Sequence, residues 1–425
     1  MSGRAQAITI SPTALLLGIA IMGLHMTAML GTKAALLFLT AGLCLILYRP
    51  GALLRETRDS WLVWALVGWC LFSTLWSAAP GLTLRYAIQL GLTFAIAIAA
   101  AWRISVTSLL RVLLVTCAIT ALISIALNRT HSHGYWIGIF GSKNAFAQFC
   151  TLCVISGSAV LIDPKGRGLW VVLGAFVALL GFLLLLKAGS AGATIAALLS
   201  VMTMAGLWAM GRLTGWQRTF LILLMALTTL LTILLVVGYF DAFSRHFLEL
   251  TGKDVTLTGR TQLWGVAFGE IGQHPLLGQG YKGFWVVGNP VAEALWEEFG
   301  IASKSGFHFH NTLISNAVEI GLVGIGLQVA IFAPALFVIL RWSASSPSAE
   351  TLLLAGLLIR QFALMHSEVV FFSHFHVFSI LTVMASIYAA RAVAEARRRQ
   401  AAPVFASRWQ PRRVPQPSLV GEHLR

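Results

Sequence analysis

Apolar runs recur along this chain, each close to the roughly 20 residues that an α-helix needs to cross hydrocarbon, and short breaks carrying Gly, Pro or charge separate them. Only helices and closed barrels keep every backbone N–H and C=O paired in lipid, and continuous apolar runs of this length fit the helix. The pattern predicts an all-α polytopic membrane protein with about twelve transmembrane helices, over 11–31, 34–48, 61–76, 84–101, 107–127, 144–162, 169–186, 190–210, 219–238, 311–340, 350–366 and 370–390. Composition excludes the soluble alternative, because 58% of the residues are hydrophobic and 11% charged, against about 25% charged in an ordinary soluble domain. The first run has the look of a signal peptide, but its apolar stretch is long, its leader holds only Arg4 and another run follows at once, so it reads as a retained helix.

Basic residues fall in every second connection, which sets the orientation by the positive-inside rule. With a cytoplasmic N-terminus, the cytoplasmic connections hold Arg49, Arg55 and Arg58, then Arg103 and Arg111, Lys165 and Arg167, Arg212 and Arg218, and Arg341. The C-terminal tail from about residue 393 is also basic and cytoplasmic, and from Gln400 onward it loses apolar periodicity and reads as disordered. The net charge of +15 is spread over these connections rather than gathered on one soluble face, which fits topology and anionic membrane lipid, not nucleic acid. Cys150 and Cys153 form a CxxC inside an apolar run, where small packing residues are expected rather than a disulfide or a metal site.

Between the helices of 1–238 and those of 311–392 lies a hydrophilic segment from 239 to 310, too long for a connector and placed on the extracytoplasmic side by the same alternation. Within it, Leu257 to Trp264 reads as a turn feeding a helix, with Thr258 as N-cap and Leu263, Trp264, Ala267, Phe268 and Ile271 on an apolar stripe. Arg260 then sits in the first turn, where a cation opposes the helix dipole, so a structural role alone explains it poorly. Gly278-Gln279-Gly280-Tyr281 reads as a flexible turn. Pro290 to Phe299 reads as an interfacial helix whose Glu293, Glu297 and Glu298 form a solvated face. The segment closes on His310, which position alone leaves as either a general base or an interfacial anchor, and on Asn311, an ordinary helix cap.

These residues resemble the bacterial O-antigen ligase and O-antigen polymerase superfamily, most nearly its exopolysaccharide polymerase branch. The resemblance rests on Gly252 to Thr261 with Trp264, on His274 to Tyr281, and on His310-Asn311 with Glu319 and Gly321. Trp76-Ser77-Ala78-Ala79-Pro80 with Arg85, and Gly141-Ser142-Lys143-Asn144, add weaker landmarks. The resemblance implies a metal-independent, cofactor-free, inverting glycosyltransferase of the inner membrane whose donor is a glycan on undecaprenyl diphosphate. It implies His310 as the base that deprotonates an acceptor hydroxyl and Arg260 as a diphosphate ligand, and it makes Glu368 a supporting acid beside Asn311 and Glu319. The family often has a Ser-Arg pair at the start of the eighth helix, whereas this chain reads Lys187-Ala188-Gly189-Ser190. Lys187 would stand in there as a point charge, Arg85 is the next choice, and Arg129 and Lys143 also face outward.

Polymerase and ligase differ only in acceptor, another lipid-linked repeat unit or the lipid A-core, and other polysaccharide-assembly proteins are natural partners. A flippase or solute transporter is the competing class. No half-to-half repeat supports it, but Arg360 beside Gln361 inside the eleventh run would suit a water-filled cavity. His374 and His376 are a weak metal candidate, since side chains two apart diverge on a helix.

Overall fold

A computed structural model describes residues 11–131, 134–163, 168–221, 223, 224, 227 and 259–401. The helices run α1 (Pro12–His25), α2 (Thr27–Leu30), α3 (Thr32–Leu47), α4 (Leu53–Asp59), α5 (Trp61–Phe72), α6 (Pro80–Arg103), α7 (Val106–Leu127), α8 (Lys143–Ile162), α9 (Gly168–Ala188), α10 (Ala191–Met210), α11 (Arg260–Gln273), α12 (Pro290–Glu298), α13 (Thr312–Ser345), α14 (Ala349–Leu364) and α15 (Val377–Ala401). Among the described residues there is no strand beyond one isolated antiparallel bridge, Thr130 to Trp136. Seven helices, α6 to α10, α13 and α15, are long and apolar enough to span a membrane, and an eighth is counted if α3 and the segment 50–59, bent by 79°, form one broken span. The helices α1, α5 and α14 are shorter. The expected run 219–238, the first part of the hydrophilic segment with Gly252 to Thr258, Arg4, Lys165, Arg167 and the tail beyond 401 lie wholly or largely outside the described residues.

Helix α8 lies at the centre, with Phe146, Cys150, Cys153, Ile155 and Ala159 fully buried. Against it, α9 comes close enough that a Cβ on Gly157 would stand 2.4 Å from the carbonyl oxygen of Gly174. Small residues permit such backbone approach, which is how helices in lipid gain dispersion energy without a hydrophobic driving force. The outer faces of α9 and α10 instead present Leu179, Leu183, Leu186, Ile195, Leu198 and Met202 outward, as lipid contact requires.

Side-chain bonds gather alternate connections at opposite ends of the bundle. At one end Arg103 meets Glu56 at 2.6 Å and donates to the carbonyls of Ala99, Ile46 and Arg49. Tyr388 donates to the Ile104 carbonyl and Thr107 to Glu350 at the same end. At the other end Trp136 N–H donates to the Lys187 carbonyl, Asn144 to Glu368, and Asn311 to the His366 carbonyl.

The structure corrects three spans. The expected run 370–390 begins as a helix only at Val377, because 365–376 is irregular and places Phe372 and Phe375 at φ of 59° and 48°. The run 311–340 extends to Ser345 but breaks at Gly321, whose φ of 65° and ψ of −176° no helix accommodates. The run 11–31 is divided between α1 and α2 at Met26.

The Arg103 and Glu56 side chains are 2% and 5% exposed, so removing one leaves a desolvated charge. Glu56→Ala is expected to destabilise the protein by about 3 kcal/mol, and the Glu56→Ala/Arg103→Met pair by less. Thermal unfolding of the detergent-solubilised protein measures both.

Candidate functional site

Helix α11 starts at Arg260 with Gly259, at φ of 89°, in the capping position expected for Thr258. Leu263 and Ala267 turn inward and share a small core with Phe284, Ala292, Leu295, Trp296, Phe309 and Val318. That core ties α11 and α12 to the start of α13. Trp264 and Ile271 pack against the same core, as expected of the stripe, whereas Phe268 is 59% exposed. Glu297 and Glu298 on α12 are exposed, and Glu293 accepts from the Gly288 N–H beside Lys304, a solvated face as expected.

Trp264 Nε1 donates to the Phe309 carbonyl at 2.7 Å, and the Phe309 ring is fully buried. These two anchors fix the strip from Phe307 to Asn311. His310 takes φ of 51°, and its N–H donates to Nδ1 of His308 at 3.1 Å, bringing the two imidazoles to 4.4 Å between centroids. With Nδ1 accepting, a neutral His308 carries its proton on Nε2. Asn311 caps α13 by accepting from the Ile314 N–H at 3.0 Å.

Glu368 reaches this strip from the irregular segment between α14 and α15. Asn144 Nδ2 on α8 donates to its Oε1 at 2.8 Å, and His308 Nε2 lies 3.9 Å from its Oε2. The ligating atoms of His308, His310 and Glu368 all fall within 4.8 Å of one another. Burial, and secondarily the charge of Arg260, hold His310 down at about 4. Burial also lowers His308 to about 3, helped by His310, Lys282 and Arg260. Burial pushes Glu368 up to about 7, against the opposing pull of Arg260 and Arg360. Near neutral pH the site thus holds two uncharged imidazoles and a carboxyl poised between its two forms, within the field of Arg260 and, at Glu368, of Arg360 as well. Two imidazoles and a carboxylate are also a donor set for a divalent metal. Arg260 opposes a dication there, and His308 Nδ1 is already taken by the His310 N–H.

Glu319 lies apart from this cluster, buried on α13, where it meets Lys282 Nζ at 3.3 Å and accepts from the Lys282 N–H at 3.2 Å. The break at Gly321 explains the placement. The carbonyls of Val318 and Glu319 accept from the N–H groups of Gln279 and Gly280, while the N–H groups of Leu322 and Val323 donate to Pro275 and Leu276. The segment expected to be a flexible turn is therefore docked into the broken helix. A Cβ at Gly278 would stand 2.6 Å from the Glu319 carbonyl oxygen, and one at Gly321 would stand 2.1 Å from that of Leu276.

Of the other expected site residues, Arg85 is exposed on α6 beside Tyr86, whose ring stacks on His374 at 4.6 Å. Lys187 is exposed in the last turn of α9, and no contact brings it to His310. Arg129 is exposed, and Lys143 sits over the Tyr135 ring at 4.2 Å. Arg360, expected to suit a water-filled cavity, is instead packed against side chains. It is fully buried, bonded to Thr151 at 2.8 Å and to Gln361, and lies 3.4 Å over the Phe378 ring. His374 and His376 lie in the irregular segment, not on a helix. Sequence reasoning missed His308 and Lys282. The two-residue spacing from His310 is the one signal that could have found His308, and nothing local marks Lys282 as the partner of Glu319.

His308, His310 and Glu368 lie at one end of a scaffold of apolar helices, and the chain belongs to the O-antigen ligase family, whose profile matches residues 174–329. It is 31% identical over 325 residues, 75% of this chain and 74% of the relative, to the exopolysaccharide production protein ExoQ of Rhizobium meliloti (strain 1021). A chain from a solved structure of a peptidoglycan synthase complex aligns over 79% of this chain and 97% of its own at 16% identity with a TM-score of 0.41, a likeness too distant to bear on fold or chemistry.

Gly321→Ala combines the steric clash at Leu276 with a left-handed φ and is expected to cost about 3 kcal/mol or more. Thermal unfolding, with protease cleavage inside 259–311 as a second readout, measures the loss.

Proposed function

We propose that the chain is an inverting, metal-independent glycosyltransferase that polymerises undecaprenyl-diphosphate-linked oligosaccharide repeat units into exopolysaccharide or O-antigen. In this reading both termini are cytoplasmic, the segment 239–310 is periplasmic, and the reaction takes place at the periplasmic face of the bacterial inner membrane. The observation that carries it is the meeting of His310, His308 and Glu368 within the field of Arg260.

The acceptor hydroxyl gives its proton to His310, which burial keeps neutral and able to receive it. The hydroxyl oxygen attacks the anomeric carbon from the side opposite the diphosphate, forming the new glycosidic bond as the carbon–oxygen bond to phosphate breaks. The electron pair leaves on the diphosphate, where Arg260 stabilises the growing charge. Glu368, as carboxylate, stabilises the imidazolium until its proton passes to solvent. Lys282, ion-paired with Glu319 at 3.3 Å and partly exposed, is a second candidate beside Lys187 for the further phosphate cation. Asn311 and Glu319 act through others, the first by capping α13 and the second by holding Lys282.

The similarity to an exopolysaccharide production protein favours polymerisation over ligation to lipid A-core. The burial of Arg360 and its bonds to Thr151 and Gln361 weigh against the flippase or transporter reading.

Transfer from a lipid-diphosphate donor in proteoliposomes tests the reading. His310→Ala is expected to lower kcat by about 10²- to 10⁴-fold, and a folded variant with wild-type turnover would remove His310 from the base role. Arg260→Lys keeps the charge but loses the bidentate fork, and a rate drop of about tenfold or more is expected. The sign of the pH dependence follows from Glu368. Its carboxylate is lost as pH falls through about 7, so kcat/KM should rise through that region to a plateau, and Glu368→Gln should lower the plateau and erase the inflection. An inflection that survives in Glu368→Gln would assign it elsewhere. A chelator should leave the rate unchanged; loss of activity restored by a divalent cation would instead make the His308, His310 and Glu368 cluster a metal site.

A further inference from the structure

A groove of about 910 Å³ opens between α3 and α6, away from the His310 cluster. Its walls are Ala35, Leu36 and Leu39 on one side and Leu84, Ile88 and Leu92 on the other, with Arg85 and His374 also in the lining. Leu84, Ile88 and Leu92 recur every four residues along one face of α6 and are 44%, 48% and 41% exposed, and Leu36 opposite is 55% exposed. That face runs about 12 Å along the helix. Among the described residues Arg85 is the only Lys, Arg, Asp or Glu in the groove wall. An apolar channel on the lipid side, with one unpaired guanidinium and no acid, complements an anionic headgroup on a long hydrocarbon chain.

Ring contacts join the groove to the segment that carries Lys282, whose ammonium lies 5.5 Å from the Tyr281 ring centroid. His374 stacks on Tyr86 and meets the Tyr281 ring edge-on at 6.5 Å. Arg85 in the groove wall is thus linked through the rings of Tyr86, His374 and Tyr281 to Lys282. Joining two lipid-linked glycans requires two diphosphates to be held at once, and one site cannot hold both.

We propose that the groove between α3 and α6 seats the polyisoprenoid chain of the acceptor, with Arg85 on the acceptor's diphosphate, and that the acceptor glycan extends past His374 and Lys282 to His310. The assignment rests on the glycosyltransferase reading and adds to it the place where the acceptor's lipid and diphosphate are held.

Two defined substrates separate the roles, a donor lacking its acceptor hydroxyl and an acceptor joined to its lipid diphosphate by a non-cleavable phosphonate. Ile88→Trp fills the groove and Arg85→Gln removes its charge. Each is expected to raise KM for the acceptor at least tenfold while kcat and the donor KM stay within twofold. A rise in donor KM instead, or no change in either, overturns the proposal. A photoactivatable polyprenyl diphosphate provides a readout independent of turnover. It should label the α3 and α6 faces of the wild-type protein, and unlabelled polyprenyl diphosphate should compete where phosphatidylglycerol does not. Equal competition by phosphatidylglycerol would make the groove an ordinary lipid contact and end the proposal. Wild-type transfer with normal variants defeats the groove alone, whereas absence of transfer by the wild-type protein defeats the glycosyltransferase reading, and the labelling still decides the occupant.

Discussion

Thr312, fully buried at the start of α13, makes the hydrogen bonds on which the site depends. Its N–H donates to the Met365 carbonyl at 2.7 Å, and its hydroxyl donates to the Glu368 carbonyl at 2.7 Å and accepts from the Val370 N–H at 3.2 Å. One residue thereby pairs three backbone groups of a chain segment that forms no helix. Irregular backbone buried among membrane helices persists only when such partners exist, because each unpaired group there costs several kcal/mol. Gln361 adds a bond to the Val370 carbonyl, and Thr93 on α6 accepts from the Phe375 N–H. Glu368 faces His308 because the segment that carries it has been held in this shape.

Helix α8 supplies the complementary restraint. Asn144, Gln148 and Thr151 follow one another at spacings of four and three, so they share a face. Asn144 holds the Glu368 carboxyl, while Gln148 and Thr151 face the Arg360 guanidinium. Arg360 in turn bonds Gln361, which steadies the same irregular segment. A buried cation in a membrane protein invites a transport explanation. Here its hydrogen bonds and the Phe378 face satisfy it in place, and its charge acts on Glu368.

The helices were legible because apolar runs of spanning length leave the backbone little choice, and the cap at Asn311 was legible because the rule for it is local. Arg260, His310 and Glu368 could be singled out from helix position and from resemblance, and the structure draws them into one neighbourhood. What escaped the sequence depends on distant partners. Residues 319–323 read as uninterrupted apolar helix, since the break at Gly321 comes from hydrogen bonds to a turn about 45 residues earlier. The same docking makes Gly278 to Tyr281 rigid where composition suggested freedom. Asn144 stood in a recognised landmark, yet its bond to Glu368 spans 224 positions, and no spacing rule reaches that far. Lys187 looked suitable by its place at a helix border, whereas the ion pair of Lys282 with Glu319 joins positions 37 apart in the chain and no local pattern marks it.

Because Leu322 and Val323 take their hydrogen-bond partners from Pro275 and Leu276, the break in α13 requires that turn in place; before docking, an unbroken helix would pair the same N–H groups within itself. Membrane insertion and maturation are therefore separate events in the life of this chain. The helices can cross the bilayer one after another as they leave the ribosome, but α13 reaches its final shape only when the turn at Pro275 and Leu276 has docked onto it. A nascent chain halted before that step would be fully inserted and still immature.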